Sequence, residues 1–323
     1  MLLNTLVPIS ALFLGSVAAA ALPKCLPSKE RASFIVFGDS LSDNGHMPHY
    51  SNYSKYWGGR YSNSYMWNEY TASLLDLNLE NYAIGGSTTD NKFAPAHGRT
   101  QLIPSVTEVV HEYLANNTKA SDYKKKNSII AIDGGGNDLF YSLDKLASGK
   151  MNIAYFVNTL VQNQIKTIKT LLDAGYRKIY LLNLPSITMT PAIAEYGPAV
   201  QALAGMLTPV LNGVFRAKLT ALRLTNPSKA AEVKFFDMQN LMDTSNSPMV
   251  LRAINITDTK NPCVVDHPDG SQTYCTGDDD VRYYYDSSHP SGRPHYLIGV
   301  AFANIVKNPS YPVTKWSLTN IAK

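Results

Sequence analysis

Short apolar runs ending on glycine or aspartate alternate along this chain with longer stretches whose apolar residues recur three and four positions apart. Residues 33–37 form such a run before Gly38, 79–84 end at Gly85-Gly86, and 128–132 end at Asp133 and the glycines 134–136. Each predicts a buried strand followed by a tight loop. Residues 178–184 and 232–236 predict two further strands. Helices are predicted over 64–75, 103–116, 153–174, 199–224 and 295–306. In 153–174, Val157, Leu160, Val161, Ile165, Ile168, Leu171 and Leu172 mark the apolar stripe of a helix packed on one side of a sheet. The alternation predicts an α/β fold, a parallel sheet with helices on both faces, in one domain over 32–307 with a short C-terminal tail at 308–323.

In such folds the loops after the strand C-termini gather at one edge, and ligands bind there. The first loop reads Phe37-Gly38-Asp39-Ser40-Leu41-Ser42-Asp43-Asn44-Gly45 and exposes the Ser40 hydroxyl at that edge. Taken alone, Ser40 or Ser42 reads as a helix N-cap rather than as a nucleophile. A nucleophilic serine needs a base within reach and a group that orients the base. Asp286 precedes His289 by three residues, a spacing at which one turn lets the carboxylate accept the Nδ1 proton while Nε2 faces the serine. The other histidines lack a carboxylate so placed, and His111-Glu112-Tyr113-Leu114-Ala115 misses the two-histidine zinc motif at its last position. Oxyanion donors are available at two more strand ends, as the Gly86 N–H and the Asn137 side-chain amide. Glycine loops also cradle phosphate, but no Gly-Lys-Ser/Thr follows either one.

Gly38-Asp39-Ser40-Leu41, Gly86, Gly135-x-Asn137-Asp138 and Asp286-x-x-His289, in that order, resemble the GDSL, or SGNH, hydrolase superfamily. The resemblance implies a three-layer α/β/α sandwich with about five parallel strands, flavodoxin-like, and no metal or organic cofactor. It implies an ester hydrolase with Ser40 as nucleophile, His289 as base, Asp286 orienting it, and the Ser40 N–H, Gly86 N–H and Asn137 amide as oxyanion hole. The block 37–45, Gly59-Arg60-Tyr61-Ser62-Asn63-Ser64 and residues 81–88 look like the secreted lipase/acylhydrolase branch of fungi and plants, near carbohydrate esterase family 16. That branch commonly has Ser-Asn-Gly where this chain has Ser62-Asn63-Ser64, which puts the local loop geometry in question. Ser42 stands where the second glycine of a Gly-x-Ser-x-Gly elbow would be, so the α/β-hydrolase fold is not favoured.

The 323 residues are 45% hydrophobic and 17% charged, the balance of a globular protein. A net charge of +4, with no like-charge run beyond Lys124 to Lys126, argues against a nucleic-acid partner. Residues 6–22 carry no charged side chain and include Ala18-Ala19-Ala20, so a signal peptide at 1–20 and a secreted, extracellular protein are expected. Residues 1–5 contain no Lys or Arg, which leaves an N-terminal membrane anchor as the alternative; otherwise no stable membrane insertion is expected, and the protein is expected to be a monomer. Sequons begin at Asn52, Asn116 and Asn255, glycosylation acceptors in a eukaryotic host. Cys263 and Cys275 flank a polar stretch of the kind a disulfide closes, adding about 3 kcal/mol. Cys25 is left over, as a free or an intermolecular thiol.

Twenty tyrosines are many for this length. Tyr50, Tyr53, Tyr56, Trp57, Tyr61, Tyr65, Trp67 and Tyr70 crowd the stretch after the nucleophile loop, where they stack on sugars, line an acyl groove or pack inside. Tyr283-Tyr284-Tyr285 is expected to be strand-like and half-buried, and 185–198 is the nearest candidate for a flap. The substrate reading is a small acyl or acetyl ester of a small molecule, carbohydrate or lipid. Long-chain acyl lipids are the alternative, and an inactive binding protein on the same fold is the remaining one.

Overall fold

The structure is a computed structural model and describes residues 30–45, 56–96, 102–267 and 269–322. The expected signal peptide at 1–20, Cys25, the Asn52 sequon, Tyr50 and Tyr53 lie outside the described residues.

Five strands, β1 (Ser33–Phe37), β2 (Asn78–Asn81), β3 (Ile129–Ile132), β4 (Lys178–Leu182) and β5 (Val233–Phe236), form one sheet in the order β2-β1-β3-β4-β5. Every pairing is parallel. β1 and β3 are buried along their whole length, as a sheet covered on both faces requires. Successive side chains point to opposite faces, so β1, β3, β4 and β5 each feed two cores, while the edge strand β2 adds only the half-buried Leu79 to the second. Ile35, Phe37, Ile130, Ile132, Ile179 and Leu181 lie in one core with helices Val106–Asn116, Ile153–Asp173 and Pro198–Thr225. Phe34, Val36, Ile129, Ala131, Tyr180 and Leu182 lie in the other with helices Trp67–Leu75, Met238–Ser245 and Gly292–Lys307. The expected three-layer α/β/α sandwich is therefore the fold.

Several boundaries differ from the hydrophobic pattern, each for a local polar reason. β2 stops at Asn81 because the Asn81 side chain turns the chain: its Oδ1 accepts the Ala83 N–H and its Nδ2 donates to the Ser42 carbonyl. The helix expected from 103 starts at Val106, where Ser105 and Glu108 form a reciprocal capping box. The helix expected from 64 starts at Trp67, because 62–64 dock instead on the segment after His289: Ser62 Oγ donates to the Pro290 carbonyl, and Asn63 Oδ1 accepts the Gly292 N–H. Ser64, the departure from the Ser-Asn-Gly pattern, fits there because Gly292 has no side chain; a Cβ on Gly292 would come within 2.4 Å of the Ser64 Cβ.

Helix Gly136–Ala147 escaped the pattern reading behind its three glycines, although Leu139, Leu143 and Leu146 mark its buried stripe. Tyr283 to Tyr285 form no strand and all three are buried, a correction to the half-buried strand expected there. The segment read as a tail carries helix Lys315–Ile321, whose Leu318 is fully buried in the second core. Helix Pro198–Thr225 is long and apolar enough by composition to cross a membrane. It lies on the sheet, burying Leu207, Leu211, Phe215, Leu219 and Leu222.

Candidate active site

Ser40, Gly86 and Asn137 all lie in loops or a helix start just past the C-terminal ends of β1, β2 and β3. The segment 286–289 brings the fourth part of the site to the same edge. Ser40 Oγ lies 2.6 Å from His289 Nε2. His289 Nδ1 lies 2.8 and 2.7 Å from the two oxygens of Asp286. An ionised carboxylate only accepts hydrogen bonds, so Nδ1 carries the proton and Nε2 is left to accept from the serine.

The Asp286–His289 turn closes on itself, with Asp286 Oδ1 accepting the backbone N–H groups of Ser288 and His289 at 2.8 Å each. Burial pushes the Asp286 carboxyl up, but the charge and hydrogen bond of His289, the Ser288 N–H and the Tyr56 hydroxyl outweigh it and hold the pKa below the ordinary value. For His289, burial disfavours the cation, yet Asp286 by charge and hydrogen bond, and Asp39 by charge, hold its pKa above the ordinary 6.5.

The loop bearing Ser40 is anchored from behind by Asp133, at the end of β3. Asp133 Oδ1 accepts the Asp39 N–H at 2.9 Å, and Oδ2 accepts the Ser42 hydroxyl. Trp67 Nε1 donates to Ser42 Oγ at 3.0 Å. Gly38 is required here, since a Cβ on it would stand 1.6 Å from Asp133 Oδ1. Burial and the neighbouring Asp39 push the Asp133 carboxyl well up.

The two amide-bearing loops are tied together. Asn137 Nδ2 donates to the Ser87 carbonyl at 2.9 Å. Asp138 accepts the Thr89 N–H at 2.9 Å and the Thr89 hydroxyl at 2.6 Å, and burial pushes its pKa up to about 7. Gly86 adopts φ +86°, a left-handed conformation that suits glycine. The Gly86 loop is also tied to the nucleophile loop, the Gly85 N–H donating to Asp43 Oδ2 at 2.8 Å.

A cavity of about 220 Å³ opens beside Ser40 and His289 and is walled on its apolar side by Leu41, Phe140, Leu184, Ile187 and Met238. Pro185, Ile187 and Thr190, from the segment read as a flap, contribute to that wall. Cys263 and Cys275 are joined by a disulfide that closes the hairpin β6 (Val264–Asp266) and β7 (Gln272–Tyr274). Asn116 and Asn255 have exposed side chains.

Two residues were named in the sequence without their roles at this site, Asp133 as the end of a strand and Tyr56 as one of a crowd of rings. Asp133 had a signal, as a carboxylate ending an all-apolar strand. Tyr56 had none, being one ring among many and 230 positions from the Asp286 oxygen it contacts.

Among proteins of known identity, the chain is 30% identical over 162 residues to a thermolabile hemolysin of Vibrio parahaemolyticus, covering 49% of this chain and 34% of that protein. It is 25% identical over 178 residues to a secreted effector protein of Salmonella typhimurium, covering 52% and 38%. It is 26% identical over 192 residues to lipase 1 of Photorhabdus luminescens, covering 56% and 27%. The matches thus span only about a third of each relative. Among solved structures, an inhibitor-bound aryl esterase of M. smegmatis superposes with a TM-score of 0.48 at 16% identity, over 86% of this chain and 99% of that one. A family two carbohydrate esterase of Clostridium thermocellum gives 0.46 at 15%, over 86% and 64%. The family described as GDSL-like Lipase/Acylhydrolase matches residues 34–299, which contain every residue of the site described above, and the chain belongs to that family.

Proposed function

We propose that this protein is a serine carboxylic ester hydrolase that works through an acyl-serine intermediate. The observation that carries the reading is the hydrogen-bonded line from Ser40 Oγ through the His289 ring to Asp286, with 2.6 Å at one end and 2.7 Å at the other. Ser40 Oγ attacks the ester carbonyl carbon while its proton passes to His289 Nε2. The carbonyl oxygen, now an oxyanion, is met by the Ser40 and Gly86 N–H groups and the Asn137 amide, each donor contributing about 3 kcal/mol in the transition state. Collapse breaks the ester C–O bond, and the alcohol leaves with the proton from His289. Water, deprotonated by His289, then adds to the acyl carbonyl carbon; the Ser40 Oγ–C bond breaks as His289 returns the proton to Oγ, and the acid is released. No cofactor enters these steps.

The substrate in this reading is a small acyl or acetyl ester. The cavity beside Ser40 supports it, since about 220 Å³ is below the roughly 300–1,000 Å³ of most ligand pockets. A long-chain acyl lipid is the second reading, favoured by the apolar wall of Leu41, Phe140, Leu184, Ile187 and Met238 and by the relative named a lipase. The apolar stretch 6–22, the Cys263–Cys275 disulfide, the sequons and a relative named as a secreted effector support a secreted, glycosylated protein.

Hydrolysis of p-nitrophenyl acetate, butyrate and palmitate by the protein and by Ser40→Ala, followed by acetyl release from acetylated xylo-oligosaccharides, tests the proposal. Preference for acetate with sugar deacetylation supports the small-acyl reading, and preference for palmitate supports the lipase. Equal rates for the two proteins overturn the nucleophile.

A further inference from the structure

The carboxylate facing His289 is itself held by a side chain from the opposite end of the chain. Tyr56 donates its hydroxyl to Asp286 Oδ2 at 2.7 Å, and that same oxygen lies 2.7 Å from His289 Nδ1. Oδ1 is occupied by the Ser288 and His289 N–H groups. Tyr56 is 6% exposed and Asp286 5%, so solvent does not stand in for the phenol.

The phenol is in turn fixed by its surroundings. Its ring packs 5.6 Å from Tyr61 and edge-on 5.4 Å from Tyr285, the residue next to Asp286. Tyr56, Tyr61, Cys263, Val264 and Tyr285 form one buried cluster. The disulfide-closed hairpin enters that cluster through the Val264 N–H, which donates to the Tyr285 carbonyl at 2.7 Å. The aromatic excess, the Tyr283 to Tyr285 run and the cysteine pair thereby converge on one carboxylate.

Resting on the catalytic line assigned above, we propose that Tyr56 is a positioning residue that acts through Asp286. A carboxylate's terminal torsion is broad and soft. Two N–H groups on one oxygen and a phenol on the other restrict it, so that the direction left open is the one toward His289 Nδ1. The phenol also draws off part of the carboxylate's charge, because a hydrogen bond to the charged form stabilises it. Tyr56 therefore governs both where the imidazole points and how tightly it keeps its proton.

Tyr56→Phe keeps the ring and removes only the donor. With the full charge of Asp286 directed at the imidazolium, His289 should hold its proton to higher pH. The acid limb of kcat/KM is then expected to move upward in pH, with kcat down about tenfold and KM changed little. The other titratable groups around the pair are Asp39, buried His295, Tyr61 with its ring 4.9 Å from that of His289, and Tyr285; Tyr56→Phe alters none of them.

The experiment is a cycle of Tyr56→Phe, Asp286→Asn and the double variant, with Ser40→Ala alongside and thermal melts of each. In the Asp286→Asn background the loss of the phenol hydroxyl is expected to change kcat less than twofold. NMR titration of the His289 ring in Ser40→Ala, with and without Tyr56→Phe, gives a readout independent of turnover, and a higher pKa without the phenol supports the proposal. Wild-type kcat and an unmoved acid limb in Tyr56→Phe overturn it, as do equal losses in both backgrounds. Turnover retained by Ser40→Ala overturns the catalytic line itself and the proposal with it.

Discussion

Ser40 Oγ and His289 Nε2 stand 2.6 Å apart although 249 positions separate the two residues in the chain. The contact requires β1 to end beside the segment following Tyr285, and the segment 62–64 docks on that same region through Pro290 and Gly292.

The first prediction concerns pH. His289 acts as a base only when neutral, and its pKa is held above 6.5, so kcat/KM should fall on an acid limb placed above that of an ordinary histidine. Asp286→Asn removes the opposing charge; the limb should move down in pH and the rate fall about 10³- to 10⁴-fold. In stability the signs are opposite for the two partners. The His289 contribution is complete below 6.5 and lost as pH rises through the raised folded value, and the Asp286 contribution is complete above 3.8 and lost as pH falls through the lowered one. Unfolding free energies measured between pH 3 and 9 should therefore show the pair's stabilisation between those limits and its disappearance in His289→Ala.

Asn137→Ala separates chemistry from folding. Turnover should drop about 10²- to 10³-fold for a lost oxyanion donor. The melt should reflect only the lost hydrogen bond to the Ser87 carbonyl, about 1 kcal/mol. Unchanged turnover would remove Asn137 from the oxyanion hole.

Two glycine-to-alanine substitutions should have opposite signs. At Gly38 the new Cβ would lie 1.6 Å from Asp133 Oδ1, displacing the carboxylate that holds the Asp39 N–H and the Ser42 hydroxyl. We expect a loss of more than about 4 kcal/mol, seen as failure to accumulate folded protein. Gly213 is an exposed position inside helix Pro198–Thr225 with no atom within 4 Å of a new Cβ. Alanine there should stabilise by about 1 kcal/mol in denaturant unfolding.

Replacing Cys263 and Cys275 together by serine should cost about 3 kcal/mol, the loop-closure entropy of a 12-residue separation. Reduction of the native protein should reproduce the shift in Tm, and the doubly substituted protein should no longer respond to reductant.

Where local chemistry decides the structure, the sequence already contains the answer. The apolar runs before Gly38 and Asp133 state buried parallel strands with loops at one edge, because an extended chain buried on both faces has no use for polar residues until it must turn. The run 79–84, read as buried too, gives instead the edge strand Asn78–Asn81, of which only Asn81 is buried. The Asp286-x-x-His289 turn is equally local: one turn of backbone suffices to bring carboxylate and Nδ1 together. Relations between distant segments are not written there. No periodicity says that Asn81 stops β2 by bonding the Ser42 carbonyl, that Ser64 rests on Gly292, or that Asp133 stands behind the nucleophile turn. Tyr56 is the clearest case, since its role is defined by Asp286, and chain spacing carries no information about a contact made across the fold. The sequence by itself determined the layers, the edge at which the site forms and the residue types that form it. Only tertiary packing decided which buried polar groups meet, because each must find its hydrogen-bond partner wherever the fold places one.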